Sequence, residues 1–90
     1  MFYVYILKSI EHARHYTGMT SDLERRLSEH NSGKTKSTRA FKPWKLVYLE
    51  EYDTRAEARN REKYLKSGSG REWLKTKIAS QFTSPNGELN

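Results

Sequence analysis

The chain opens with an unbroken apolar run, Phe2-Tyr3-Val4-Tyr5-Ile6-Leu7, β-branched and aromatic and too short for an independent helix. This predicts a strand buried on both faces, ended by Lys8 and Ser9. Residues 9–15 are polar enough for a hairpin connection, and His15-Tyr16-Thr17-Gly18-Met19 reads as a second strand closing at a glycine. Thr20-Ser21-Asp22 then offers helix-capping chemistry. Ser21 and Glu24 stand at capping-box spacing, and Leu23 and Leu27 share one helical face. A helix is expected over about 22–31, stopped near Asn31-Ser32-Gly33. From Gly33 to Lys45 there are five Lys/Arg, one proline and no acidic residue, the signature of a long exposed loop. Leu46-Val47-Tyr48-Leu49 with Tyr52 makes a third strand. Thr54 and Glu57 form a second capping box, for a helix over about 55–67. Ser69 and Glu72 repeat the signature for a third, shorter helix with an apolar stripe of Trp73, Leu74 and Ile78. Beyond Ser80 periodicity disappears, so residues 81–90 are expected to form a disordered tail.

The order is β-β-α-β-α-α, an α/β arrangement with one small, mainly antiparallel sheet covered by helices in a single domain over residues 1–80. At 90 residues the core must be thin, since a chain this short buries only about two thirds of its unfolded surface. The absence of cysteine excludes a disulfide framework, a thiolate nucleophile and any Cys-ligated metal site. No apolar stretch approaches the ~18 to 20 residues that cross a bilayer, so a soluble, cytoplasmic protein is expected. Seventeen Lys and Arg against eleven Asp and Glu leave a formal charge of +6. That balance suits a polyanionic partner, with nucleic acid the first candidate and an anionic membrane surface the second.

Several polar residues stand where the periodicity asks for apolar ones. On the first helix Arg26 and His30 lie beside Leu23 and Leu27, which are about 40° apart on the wheel. On the second, Glu62 falls between Ala58 and Leu65 on the inner face. A charge there must snorkel, pair or bind a metal, and an Arg26–Glu62 ion pair at the core margin is the simplest structural solution. Tyr3 and Tyr5 share one face of the first strand, with Tyr16 nearby in the hairpin.

Tyr3-Val4-Tyr5, followed eleven residues after Tyr5 by Tyr16-Thr17-Gly18, resembles the paired motif of the GIY-YIG nuclease superfamily. Arg26 ten residues beyond Tyr16, His30 four further on, and Glu62 within Arg61-Glu62-Lys63 continue the likeness. It spans residues 2–78 and is nearest to the small, stand-alone, single-domain branch, which shares Pro43-Trp44-Lys45-Leu46-Val47-Tyr48. The resemblance implies a three-stranded antiparallel sheet among helices. It also implies endonucleolytic cleavage of DNA phosphodiesters with one divalent ion, Mg²⁺ or Mn²⁺, in a setting such as DNA repair or recombination. Carried over, Glu62 would ligate the metal, Arg26 would contact the scissile phosphate, and Tyr5 and Tyr16 would position or deprotonate the attacking water. His30 stands where the family places a further polar or aromatic site residue. The chain departs from the pattern at Met19, where some members carry Lys, and at Leu74, where some carry Asn.

Lys34, Lys36, Arg39, Lys42 and Lys45 in the basic segment, with Lys63 and Lys66 on the second helix, are candidate phosphate contacts. Phe41 or Trp44 either stacks on an unpaired base or, for Trp44, belongs to the core of the third strand. A monomer acting on nucleic acid, without a membrane partner, is the resulting expectation. The alternatives are a catalytically reduced binding module on the same fold, and an adaptor using the same charge.

Overall fold

The computed structural model describes residues 1–82. The most apolar segment occupies the centre of the sheet: β1 (Phe2–Ser9) lies between β2 (His15–Thr20) and β3 (Trp44–Tyr52), antiparallel to both. Its Val4, Tyr5, Ile6 and Leu7 are all at most 1% exposed, because the strand is covered on both faces. Alternation divides the core in two. Val4 and Ile6 pack with Val47, Ala58, Leu65 and Leu74 beneath α2 (Arg55–Lys66) and α3 (Gly68–Phe82). On the opposite face Tyr5, Leu7 and Trp44 gather Leu23 and Leu27 from α1 (Leu23–Ser32). The order is β-β-α-β-α-α with a three-stranded antiparallel sheet, as expected from the residue pattern.

Four local expectations change. The cap of α1 is Asp22, not Ser21: its carboxylate accepts from the Arg25 backbone N–H at 3.2 Å, since an extended residue directly before the first turn is the one aimed at the free N–H groups. The helix ends at Gly33 in the left-handed region, φ 84°, a conformation glycine adopts without Cβ strain. The cap of α3 is likewise earlier than Ser69: the Ser67 hydroxyl accepts from Gly70 N–H at 3.2 Å. With an early start and a late end, α3 has 15 residues and is longer than the 12-residue α2. It runs to Phe82, two residues into the expected tail, and residues 83–90 lie outside the described part.

The segment 33–45 is not wholly an exposed loop. It contains a 3₁₀ turn, Arg39–Phe41, and buries Thr38 and Trp44. Lys42 and Pro43 are joined by a cis peptide bond. Asn31 on α1 holds the entry to β3, its amide donating to the Trp44 carbonyl at 3.0 Å and its oxygen accepting from Trp44 N–H at 2.6 Å.

The second helix is fixed to the sheet by one carboxylate. Glu50 on β3 accepts from Arg61 through Nε at 2.9 Å and Nη2 at 3.1 Å, and from the hydroxyls of Tyr48 and Tyr52. Burial pushes its carboxyl up, but the Arg61 fork and the two phenols outweigh this and hold it below the usual carboxylate range. Arg61 adjoins Glu62, so the clamp that sets the rotation of α2 also sets where Glu62 faces, about 100° further round the helix.

Replacing Asp22 by Ala should cost about 1 kcal/mol in urea unfolding, whereas Ser21→Ala should be within about 0.5 kcal/mol of wild type. Equal losses would return the cap to Ser21.

Candidate active site

Tyr5 and Tyr16 come from neighbouring antiparallel strands, where the register sets Tyr5 opposite Gly18 and Leu7 opposite Tyr16. The two phenol rings are 6.2 Å apart, and the His30 ring lies 5.9 Å from Tyr5 and 4.8 Å from Tyr16. Gly18 makes this possible. A Cβ there would stand 2.4 Å from the Tyr5 hydroxyl oxygen and 2.9 Å from a Tyr16 ring carbon, so the glycine is the gap through which the Tyr5 hydroxyl passes.

His30 is fully buried and bonded at both ring nitrogens. Its Nδ1 is 2.7 Å from Thr38 Oγ1, and its Nε2 is 3.0 Å from the Tyr5 hydroxyl. The Thr38 hydroxyl donates to the Thr35 carbonyl at 3.4 Å, which leaves its lone pairs to accept from His30 Nδ1–H. Nε2 is then the unprotonated nitrogen and accepts from the Tyr5 O–H. Burial, followed by the Arg26 charge, lowers the pKa of His30, consistent with a neutral ring serving as acceptor toward Tyr5.

Arg26 projects from α1 beside both phenols and is about one third exposed. Glu29 holds it at 3.0 Å, and this contact, with support from Tyr5 and Tyr16, raises its already high pKa. A shallow groove of about 190 Å³ opens beside it, lined by Thr20, Ser21, Asp22, Arg25, Arg26 and Glu29. The guanidinium is therefore anchored at one side and open at another. The expected Arg26–Glu62 ion pair is not formed. Arg26 pairs with Glu29 three residues along its own helix, and Glu62 pairs with Lys66 at 3.0 Å, four residues along its own. Each charge found an intrahelical partner at the spacing that places side chains side by side.

Tyr5 is buried, and this pushes its pKa up to about 12; Arg26 pulls the other way, while Tyr16 and Glu62 add to the rise. Glu62 exerts the weakest of these influences, a Coulombic one without contact, and its side chain bonds to Lys66. Burial thus favours the neutral phenol of Tyr5 more than Arg26 favours its phenolate.

The candidate phosphate contacts Lys34, Lys36, Arg39, Lys42, Lys45, Lys63 and Lys66 are all exposed. Trp44 is not available to stack on a base: it is 4% exposed, with its indole N–H donating to the Thr38 carbonyl at 2.9 Å. Phe41 is half-buried under the Arg14 guanidinium, 4.5 Å from the ring centre. Met19 and Leu74, at the two departures from the family pattern, both pack in the apolar core beneath α2 and α3. Thr38 is the residue that sequence reasoning missed. It sits in a basic, aperiodic segment, and only its burial against His30 reveals its role. The spacing effect of Gly18 was hidden for the same reason, since a motif glycine does not announce which side chain fills the space it leaves.

Gly18→Ala should destabilise the fold by about 1–3 kcal/mol through overpacking; an unchanged urea midpoint would mean that Tyr5 moves aside freely. The depressed His30 pKa gives a second expectation. The folded state takes up this proton less readily than the unfolded chain, so the stabilisation is complete above about pH 6.5 and is lost as pH falls toward the depressed value. His15 is shifted in the same direction, by burial and by Lys8. His30→Gln should therefore flatten part, not all, of the fall in urea midpoint between pH 7 and 5.5, and an unaltered slope would assign that fall elsewhere.

Comparison with known proteins gives the family. The family described as the GIY-YIG catalytic domain matches residues 1–77. A UPF0213 protein of Clostridium perfringens is 48% identical over 67 residues, covering 73% of this chain and 71% of the relative. A UPF0213 protein of Haloquadratum walsbyi is 47% identical over 66 residues, covering 72% and 73%. The solution NMR structure of a UPF0213 protein from Bacillus halodurans superposes with a TM-score of 0.51 at 35% identity, covering 98% of this chain and 93% of the other. With the motif tyrosines on adjacent strands, an arginine on the following helix and the family match over nearly all of the described residues, the chain belongs to the GIY-YIG domain family, among its UPF0213 proteins.

Proposed function

We propose that this protein is an endonuclease that hydrolyses DNA phosphodiester bonds with the help of one divalent metal ion. The observation that supports it most is the convergence of two phenols and a doubly bonded histidine beside Arg26, whose guanidinium both phenols support. Arg26 offers a forked, permanent cation to a phosphoryl group whose negative charge grows in the transition state. Glu29 orients it without covering it, and the groove on its open side gives a phosphate room to approach. Tyr16, half-exposed, is the phenol able to meet an attacking water. Tyr5 stays protonated, donating to His30, and steadies the guanidinium and the imidazole.

Among the described residues no three His, Asp or Glu side chains cluster as a metal cage. The reading therefore relies on a hard Mg²⁺ or Mn²⁺ ion, which can be held by one carboxylate when water and phosphate oxygens complete its shell. Glu62 is the residue that would hold it, and the bound ion would supply Lewis-acid stabilisation of the leaving oxygen. Lys66 now occupies Glu62 and would be exchanged for the ion. Because that pair already satisfies the carboxylate, a binding module without turnover is the second reading.

Incubation with supercoiled plasmid and Mg²⁺ or Mn²⁺ separates the two. Nicking abolished by EDTA, and reduced on the order of 100-fold or more by Glu62→Gln or Arg26→Ala, supports the enzyme. Arg26→Lys should not restore it, because an ammonium lacks the planar fork. Binding without metal-dependent nicking on plasmid, nicked, branched or single-stranded DNA would favour the module.

A further inference from the structure

Two large aromatic rings stand at the surface where the second and third helices meet. Trp73 on α3 is 38% exposed and Tyr64 on α2 is 40% exposed. A single exposed ring is ordinary, whereas a contiguous patch marks a surface that something covers. These two are joined through one guanidinium: Cζ of Arg61 lies 4.7 Å from the centre of the Trp73 ring and 5.2 Å from that of Tyr64. Tyr48 on β3 extends the patch, its ring meeting that of Trp73 at 76° with the centres 6.0 Å apart.

The patch is built on fixed groups. Arg61 is held by the Glu50 carboxylate, which also accepts from the Tyr48 hydroxyl, so neither can turn away without breaking that network. The two helices approach closely because residue 70 is glycine: a Cβ there would collide with the Tyr64 carbonyl. Rings held in this way have little ordering entropy left to lose when a ligand packs on them. On the wheel of α2, Tyr64 lies about 160° from Glu62. The patch is therefore on the side of α2 away from Glu62, a second surface and not a wall of the reacting centre.

Charge indicates what covers it. Together α2 and α3 hold eight Lys and Arg against three Glu, so five of the six net positive charges of the chain are on these helices. Lys77, four residues after Trp73 and hence on the same side of α3, is exposed, and so is Lys63 beside Tyr64. A polyanion that also carries flat rings matches both features, with phosphates meeting the lysines and unpaired bases stacking on the aromatic side chains. An acidic peptide would match the charge alone. We propose that the Tyr64–Trp73 patch is an accessory site for an unpaired stretch of nucleic acid, with bases packed on the two rings and Lys63 and Lys77 on the backbone. The proposal rests on the nucleic-acid reading of the candidate site and adds to it a preference for substrates with single-stranded segments. Paired bases keep their faces inside the stack, so a duplex gains only the charge contact.

The test compares a short oligothymidylate with an abasic strand of the same length and charge, each titrated into the full chain in EDTA so that binding is read without cleavage. Tryptophan fluorescence reports on the patch, because Trp44 is buried and Trp73 is not. Oligothymidylate should quench it and bind about tenfold or more tightly than the abasic strand, as stacking on one or two rings provides. By anisotropy of the labelled strands, Trp73→Leu should lose that preference and bind both alike, whereas Trp73→Phe, which keeps a ring, should retain most of it. Equal affinity of the wild type for the two strands overturns the patch, as does a preference unchanged in Trp73→Leu. Quenching by polyglutamate as strong as by oligothymidylate also overturns it, in favour of an acidic protein partner. Plasmid nicking is scored separately. A chain that never nicks but loses its base preference in Trp73→Leu retains the patch and loses the nuclease reading, whereas one that nicks and binds both strands alike does the reverse. Absence of any nucleic-acid binding at low salt overturns both.

Discussion

The hydrogen-bonded string from Tyr5 through His30 to Thr38 is the constraint on which the α1 side of the molecule depends. It joins the central strand, the last turn of α1 and a segment with little regular structure of its own. A fully buried imidazole is tolerated because both nitrogens are satisfied, whereas an unpaired ring nitrogen there would cost about 1–3 kcal/mol. Thr38, fixed by this bond, offers its carbonyl to Trp44 and so sets the start of β3. The same string gives Tyr5 its hydrogen-bond partner and leaves Arg26 beside two oriented phenols. Packing and site chemistry are here a single set of contacts.

The other face follows a different logic. Beneath α2 and α3 the contacts are mostly apolar, and their orientation is set by the Glu50–Arg61 fork at the margin. Such a half-buried pair need not add much net stability, since desolvation offsets the Coulomb gain. Its geometric effect is greater, because a bidentate contact fixes the rotation of a helix that apolar packing alone constrains loosely. Glu62, next to Arg61, takes its position from that rotation. The candidate site therefore draws on both faces of the sheet: Tyr5, His30 and Arg26 from one, and Glu62 from the edge of the other.

Charge is distributed with a comparable separation of roles. The surplus cations are exposed on the basic segment, the hairpin end and the helices. At the site itself Arg26 is matched by Glu29, and Glu62 by Lys66. Net charge thus speaks to the approach of a polyanion through a long-range field, and the reacting groups add almost nothing to it.

Element order, the antiparallel sheet and the motif residues were legible in the chain itself, because strands and helices impose periods of 2 and 3.6 on apolar positions and capping residues mark helix starts. Arg26, His30 and Glu62 stood out because they break those periods, and Tyr5 and Tyr16 because with them they carry the family resemblance. Partnerships were not legible. Arg26 and Glu62 each chose an intrahelical partner over the other, Thr38 became the partner of a histidine eight residues away, and the Tyr5 hydroxyl met the other nitrogen of that same ring. Hydrogen bonding and desolvation depend on distances between segments, which periodicity does not encode, so folding alone decided which of two nearby charges is paired and which phenol is dry.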